Sequence, residues 1–388
     1  MPMPEFRFKC RRITQVKSTC TKWVRAVLGT RIPAPAAGVG KAEKFGGNDG
    51  PQTAGIGAGG DRQRHSVASG RKGHRPLVKE SILRRMRHRW RRSAFTRRWL
   101  PAVTRRLGIY MRLIRLDKPI GTFLLLWPTL WALWLAGRGH PSPLHFVVFV
   151  AGTFVMRAAG AAINDFADRR FDAHVWRTRD RPLARGELHP FEAIGVFVVL
   201  SLVALGLAFT LDRLALLLAI PAAFLAATYP FLKRYTYLPQ LYLGLAFGWG
   251  IPMAYAAETG AVPTVAWLLL IINILWATAY DTMYAMADRP DDLKIGVKST
   301  AILFGELDRP IVALLQLTVV IGLALVGLRL HLSPVYYWGL GAASCFVLYQ
   351  QWLIRKREPR RCFQAFLNNN WFGAAVFAGI LLQLSFSR

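Results

Sequence analysis

At 388 residues, 53% hydrophobic and with a formal charge of +30, the chain combines features that a soluble globule rarely shares. The two are segregated: up to about residue 118 the sequence is rich in Arg, Gly and Pro, and the rest is a series of apolar runs of about twenty residues, the length that crosses a bilayer. Its four cysteines, Cys10, Cys20, Cys345 and Cys362, form no CxxC pair, which argues against a disulfide framework or a zinc site.

Residues 1–105 hold Gly-Ala-Pro stretches and Arg clusters such as Arg84-Arg85 and Arg91-Arg92, with little periodic apolar pattern. They read as a basic, low-complexity, disordered tail. No stacking aromatic series or zinc spacing accompanies the charge, so nucleic acid is not an expected partner. Three readings stay open: a basic juxtamembrane segment on anionic lipid, an Arg-rich transit peptide, or translated sequence ahead of a start near Met86. Residues 106–388 form the expected membrane domain.

The first apolar run follows Lys118-Pro119, a good helix start. Its Trp127, Trp131 and Trp134 read as interfacial anchors or packing residues. Nine spans are expected, at 119–136, 143–165, 190–211, 213–230, 238–257, 263–284, 310–328, 334–354 and 371–386. The fold class is therefore all-α, a polytopic membrane protein. The joints alternate between short, charge-poor ones and basic ones at Arg169 to Arg185, Lys233-Arg234, Arg289 to Arg309 and Arg355 to Arg361. The positive-inside rule puts the basic set, with the N-terminal tail, in the cytoplasm. Arg157 lies inside the second span, where a guanidinium must find an anion. Either an acidic side chain or a substrate carboxylate could supply it.

The second span closes on Asn164-Asp165-Phe-Ala-Asp168-Arg-Arg-Phe-Asp172. At about 100° per residue, the four named side chains share roughly one 100° arc. Oxygen ligands gathered this way suit a hard divalent cation, since neighbouring carboxylates repel unless a positive charge stands between them. The sixth span closes on a second acidic stretch carrying Asp281, Tyr284, Asp288 and Asp292. If the helix persists to Pro290, Asp281 and Asp288 align within about 20°, and Asp292 follows on the same side after a proline turn. Both clusters sit at the same membrane face, with Arg177, Arg181, Lys233, Arg234, Lys294 and Lys298 in the adjoining joints. Carboxylates that can hold Mg²⁺, ringed by cations, point to a diphosphate, and a diphosphate carried on a long apolar chain explains the lipid bilayer as the location. A cation transporter would instead need polar residues running to the far face.

These residues resemble the UbiA family of intramembrane aromatic prenyltransferases, and within it the bacterial enzymes acting on 4-hydroxybenzoate. The family's first motif, NDxxDxxxD, is matched by Asn164, Asp165, Asp168 and Asp172, and its second by Asp288 to Asp292. The subgroup resemblance rests on Arg115-Leu-Asp117-Lys118-Pro119-Ile-Gly121, Arg157-Ala-Ala-Gly160, Arg181-Pro-Leu, Tyr229-Pro-Phe-Leu-Lys233-Arg234, Asp281-Thr-Met-Tyr284-Ala-Met, Lys294-Ile-Gly-Val-Lys298-Ser-Thr and Asn368-Asn-Asn370. It implies a nine-helix bundle around a central cavity, two Mg²⁺ ions as cofactor, and transfer of a polyprenyl group from polyprenyl diphosphate to 4-hydroxybenzoate. Asn164, Asp165, Asp168, Asp172, Asp288 and Asp292 would make up the metal site. Arg177, Arg181, Lys233, Lys294 and Lys298, with Asp281 and Tyr284 nearby, would serve the diphosphate substrate, and Arg234 or Arg157 the aromatic carboxylate. The expected location is a bacterial inner membrane, with a mitochondrial inner membrane as the alternative.

Overall fold

The computed structural model describes residues 94–175 and 178–386, all within one compact unit. Among them there are helices and no strand: α1 (Ala94–Leu113), α2 (Ile120–Ala136), α3 (Pro143–Asp168), α4 (Pro190–Ala208), α5 (Arg213–Thr228), α6 (Pro239–Gly248), α7 (Gly250–Thr259), α8 (Thr264–Ile295), the short α9 (Thr300–Phe304), α10 (Asp308–Arg329), α11 (Pro334–Ile354) and α12 (Pro359–Phe386). Six stretches are long and apolar enough to cross a membrane: α3, α4, α5 with the turn after it, α8, α9 running into α10, and α12. The other expected spans fall on α2, α11 and the pair α6 and α7. The tail expected at residues 1–105 lies outside the described residues except for its last twelve, which open α1.

Local chemistry sets the ends. Pro143, Pro190 and Pro239 occupy first-turn positions, where a missing N–H costs nothing. His189 and Glu192 form a reciprocal cap on α4, and Asp212 accepts from the N–H groups of Leu214 and Ala215 at the start of α5. The single span expected at 238–257 is broken at Trp249. Pro252 is the cause: its ring would clash with the carbonyl four residues back, that of Gly248, where α6 stops.

The bundle is built around α8, which packs against α2, α6, α7, α10 and α12. Its Trp276 stacks on Trp131 of α2 at 5.2 Å between ring centroids, and its indole N–H donates to Asn369 of α12 at 2.9 Å. Trp131 donates to the carbonyl of Gly373, and Trp127 to Asn370. These tryptophans are packing residues tied to α12. Where α10, α11 and α12 meet, buried amides satisfy one another: Gln316 donates to Gln350 at 2.6 Å, Gln351 to Gln316 at 2.8 Å and Gln350 to Asn368 at 3.0 Å. In an apolar surround each partner removes a desolvation cost.

Small residues let α11 and α12 approach closely. A Cβ at Gly339 would stand 2.5 Å from the Cα of Gly379, a backbone atom that cannot swing away. Gly339→Val is expected to destabilise the protein by about 2 kcal/mol through overpacking. A melting temperature in detergent equal to that of the parent would show that the two helices separate freely.

Candidate functional site

The expected second span ends at residue 165, but α3 continues one turn further to Asp168 before the chain turns through a 3-10 segment at Asp172–His174. Asn164 and Asp168 are therefore one helical turn apart, and the Asn164 amide donates to the Asp168 carboxylate at 3.2 Å. On the other wall, the expected turn at Pro290 is absent. The helix α8 runs through it to Ile295. Asp281, Asp288 and Asp292 thus form one stripe about 40° wide, and Pro290 sits about 200° around from Asp288, so its missing N–H falls on the far side. Gly296, in the left-handed region at φ 70°, ends α8 and turns the chain back so that Lys298 and Ser299 return over the site.

Between these walls lies a cavity of about 260 Å³. It is lined by Arg157, Asn164, Asp168, Asp172, Arg181, Asp281, Tyr284, Asp288, Asp292 and Lys298 of the expected site residues. Three others point elsewhere. Asp165 is buried against Arg115 at 2.6 Å and Arg181 at 3.2 Å, because the 100° step from Asn164 turns it off the cavity face. Arg234 donates to the carbonyl of Ala167 and lies over the rings of Phe171 and Phe231. The Lys294 side chain is 74% exposed and pairs with Asp291 at 3.3 Å. Arg177 and the side chain of Lys233 lie outside what the structure describes.

Supporting contacts hold the acidic residues in place. Arg181 binds Asp172 at 2.7 Å as well as Asp165, joining the end of α3 to the turn after it. Arg115, in the left-handed region at φ 55°, clamps Asp165. Burial opposes the charge of this guanidinium, but Asp165 together with the nearby Tyr284 and Tyr229 outweighs it and holds the group above its ordinary value. Behind the α8 stripe, Arg289 donates to the carbonyls of Ala301 (2.6 Å) and Gly305 (2.7 Å) and to the carboxylate of Asp308. Asp308 also receives Arg357 at 2.9 Å. This knot fixes the end of α8 and the loop that carries Lys298.

The electrostatics favour a guest cation. Five aspartates and four cations (Arg115, Arg157, Arg181 and Lys298) line the cavity among the described residues. Both acidic clusters lie at helix C-termini, whose dipole is already negative, so the carboxylates are placed where unaided they are least stable. The donors are all oxygens. No group of three acidic, His or Cys side chains among the described residues forms a ready-made cage. That combination fits Mg²⁺, which keeps several waters and shares one or two carboxylates with substrate phosphates, better than an ion held in an all-protein cage.

Some lining residues were not assigned a role from sequence. Tyr229 donates to the carbonyl of Gly160 at 3.1 Å and, with Tyr280, Phe247 and Phe366, gives the cavity aromatic walls. Ser299 presents a buried hydroxyl beside Lys298. Arg115 stood in a recognisable motif, but only its pairing with Asp165, 50 residues away, reveals its place.

The profile of the UbiA prenyltransferase family matches residues 125–376. A protein named 4-hydroxybenzoate octaprenyltransferase from Methylococcus capsulatus is 59% identical over 279 residues, covering 72% of this chain and 96% of the relative. One of the same name from Nitrosococcus oceani is 59% identical over 278 residues, covering 72% of this chain and 98% of the relative. Among solved structures, a UbiA homolog from Aeropyrum pernix K1 superposes with a TM-score of 0.60 at 23% identity, covering 67% of this chain and 97% of that one. A UbiA homolog from Archaeoglobus fulgidus bound to GPP and Mg²⁺ superposes with a TM-score of 0.55 at 20% identity, covering 70% and 99%. The spanning helices, the paired acidic helix ends and these likenesses agree: the chain is an integral membrane protein of the UbiA prenyltransferase family.

Proposed function

We propose that this chain transfers a polyprenyl group from polyprenyl diphosphate to the ring carbon ortho to the hydroxyl of 4-hydroxybenzoate, giving 3-polyprenyl-4-hydroxybenzoate for ubiquinone biosynthesis. The observation that carries the reading is one cavity in which two acidic helix ends face each other beneath cations, with an aromatic floor. The names of relatives at 59% identity support the acceptor. The activity is assigned to residues 106–388, which contain every lining residue. Basic joints and bacterial relatives support an inner-membrane enzyme whose acidic motifs face the cytoplasm.

Asn164, Asp168, Asp172, Asp288 and Asp292 would hold Mg²⁺ together with the diphosphate. Asp165 is assigned instead to holding Arg115 and Arg181. A prenyl diphosphate brings about three negative charges into a cavity whose described lining is already net acidic. Bound Mg²⁺ would supply the charge neutralisation that lets the diphosphate leave. Arg181 and Lys298 add donors to the same leaving group, joined by Arg177 and Lys233 on the family pattern. The carbon–oxygen bond of the prenyl ester breaks, and the allylic carbocation is held between Tyr229, Tyr284 and Phe366, whose π faces stabilise positive charge and exclude water. The ring carbon attacks, and its proton leaves to a carboxylate such as Asp288 or to the departed diphosphate. Of the two arginines expected to take the acceptor's carboxylate, Arg157 lines the cavity.

Purified protein in detergent, given 4-hydroxybenzoate and a polyprenyl diphosphate, is expected to form the prenylated acid only when Mg²⁺ is present, as read by mass spectrometry. Consumption of the diphosphate without that product would overturn the acceptor. No reaction in well-folded protein would overturn the reaction class.

A further inference from the structure

The helix α1 meets the bundle through its second half only. Ile109 and Leu113 are buried against Ala162 near the end of α3, Ala193 in the first turn of α4, and Leu183 and Leu188 of the joint between them. Residues 101–108 are all exposed. Val103, Leu107 and Met111 are 56%, 57% and 42% exposed, and their four-residue spacing draws them into one stripe about 80° wide. That stripe is distinct from the face of Ile109 and Leu113, and Arg105 lies about 160° round from its centre.

The α1 sequence carries five arginines and no acidic residue. At 20 residues it is long enough to cross a bilayer, yet it is not among the stretches apolar enough to do so. An apolar stripe backed by arginines, on a helix of low overall hydrophobicity, is the pattern of a helix lying in the membrane surface. Its apolar side enters the acyl chains and its guanidiniums meet anionic headgroups. The partners that bury Ile109 and Leu113 put α1 at the ends of α3 and α4, on the membrane face that carries the acidic motifs.

The attachments of α1 lead to the site. Arg106 pairs with Glu192 at 3.2 Å, Tyr110 donates to the same carboxylate, and Arg112 pairs with Glu187. These glutamates follow the joint that carries Arg181, which binds Asp172 and Asp165. Two residues beyond α1, Arg115 clamps Asp165 from a left-handed backbone, which holds only while the chain on either side is fixed. Both guanidiniums that hold the first acidic motif therefore depend on the seating of α1.

We propose that α1 docks on anionic lipid headgroups at the membrane face of the acidic motifs, and that this contact seats Arg115 and Arg181 and so raises turnover. The docking is independent of the reaction; the turnover readout rests on the prenyl-transfer reading above.

The full chain is placed in nanodiscs of phosphatidylcholine alone or with about one-third phosphatidylglycerol, and amide hydrogen exchange of residues 101–111 is followed beside prenyl transfer. With the anionic lipid, exchange in this segment is expected to slow about tenfold. Turnover is expected to rise about fivefold, the effect of roughly one arginine at an anionic surface. Val103→Ser with Leu107→Ser, or Arg105→Gln, should lose most of both effects at an unchanged melting temperature. Equal exchange in both lipids overturns the docking, as does protection that survives the double variant, which marks cover by another part of the chain or by a second copy. Lipid-dependent protection with unchanged turnover overturns the coupling to Arg115 and Arg181. No prenyl transfer in either lipid refutes the prenyl-transfer reading instead, and the exchange result still decides the docking.

Discussion

Asp168→Ala and Asp292→Ala are each expected to lower turnover at least about a thousandfold, equivalent to about 4 kcal/mol of lost transition-state stabilisation, in protein that remains folded and inserted. The two residues come from different walls: Asp168 is 2% exposed near the end of α3, and Asp292 closes the stripe on α8. Each is assigned part of the charge that draws Mg²⁺ to the diphosphate. The leaving group needs that neutralisation most as its bond breaks, so the loss is expected in kcat rather than in KM for the acceptor. Radiolabelled prenyl transfer, with the elution profile in detergent as the folding control, measures it. Turnover within about tenfold of wild type in either variant would remove that residue from the metal site.

Asp308→Ala is expected to have the largest effect on stability, about 3 kcal/mol, because it breaks a buried charge network by removing one partner. Asp308 is fully buried and receives Arg357, Arg289 and the backbone N–H of Arg309. Arg357 adopts φ 53°, a left-handed backbone that a non-glycine residue holds only when its surroundings fix it. Without the carboxylate, Arg289 loses its counter-charge, Arg357 keeps only the exposed Glu306 at 3.4 Å, and the loop from Gly296 to Leu307 loses an anchor. Thermal unfolding should shift down clearly, with Asp308→Asn in between, since the amide oxygen still accepts a hydrogen bond. An unchanged melting temperature for Asp308→Ala would show that the arginines find other partners.

The first acidic motif was legible because its spacing matches the helical period, and that period is a property of the backbone alone. The same arithmetic put Asp165 at the edge of the arc. Whether an edge residue faces the cavity or turns from it depends on what waits on the other side, here Arg115. The proline at 290 reads locally as a helix stop, yet α8 passes through it. Packing of the helix on its neighbours offsets the lost hydrogen bond, an instance of tertiary context overriding propensity. The opposite holds at Pro252, whose clash with the Gly248 carbonyl is visible in the sequence but disappears in an apolar run long enough to span. Lys294 and Arg234 carried the right charge in the right joints, but charge pattern says nothing about direction, and both point away from the cavity.

The sequence by itself determined that the chain is a bundle of membrane helices with two oxygen-rich helix ends on one side, because apolar length, helical period and residue chemistry are local quantities. Only the tertiary structure decided which carboxylates share a cavity, that Arg115 and Asp308 hold the acidic walls from behind, and that the Nε–H of Arg157 and the hydroxyl of Tyr280 are buried without a hydrogen-bond partner among the described residues. Those outcomes depend on side chains brought together by packing across tens to hundreds of residues, and no local spacing encodes them.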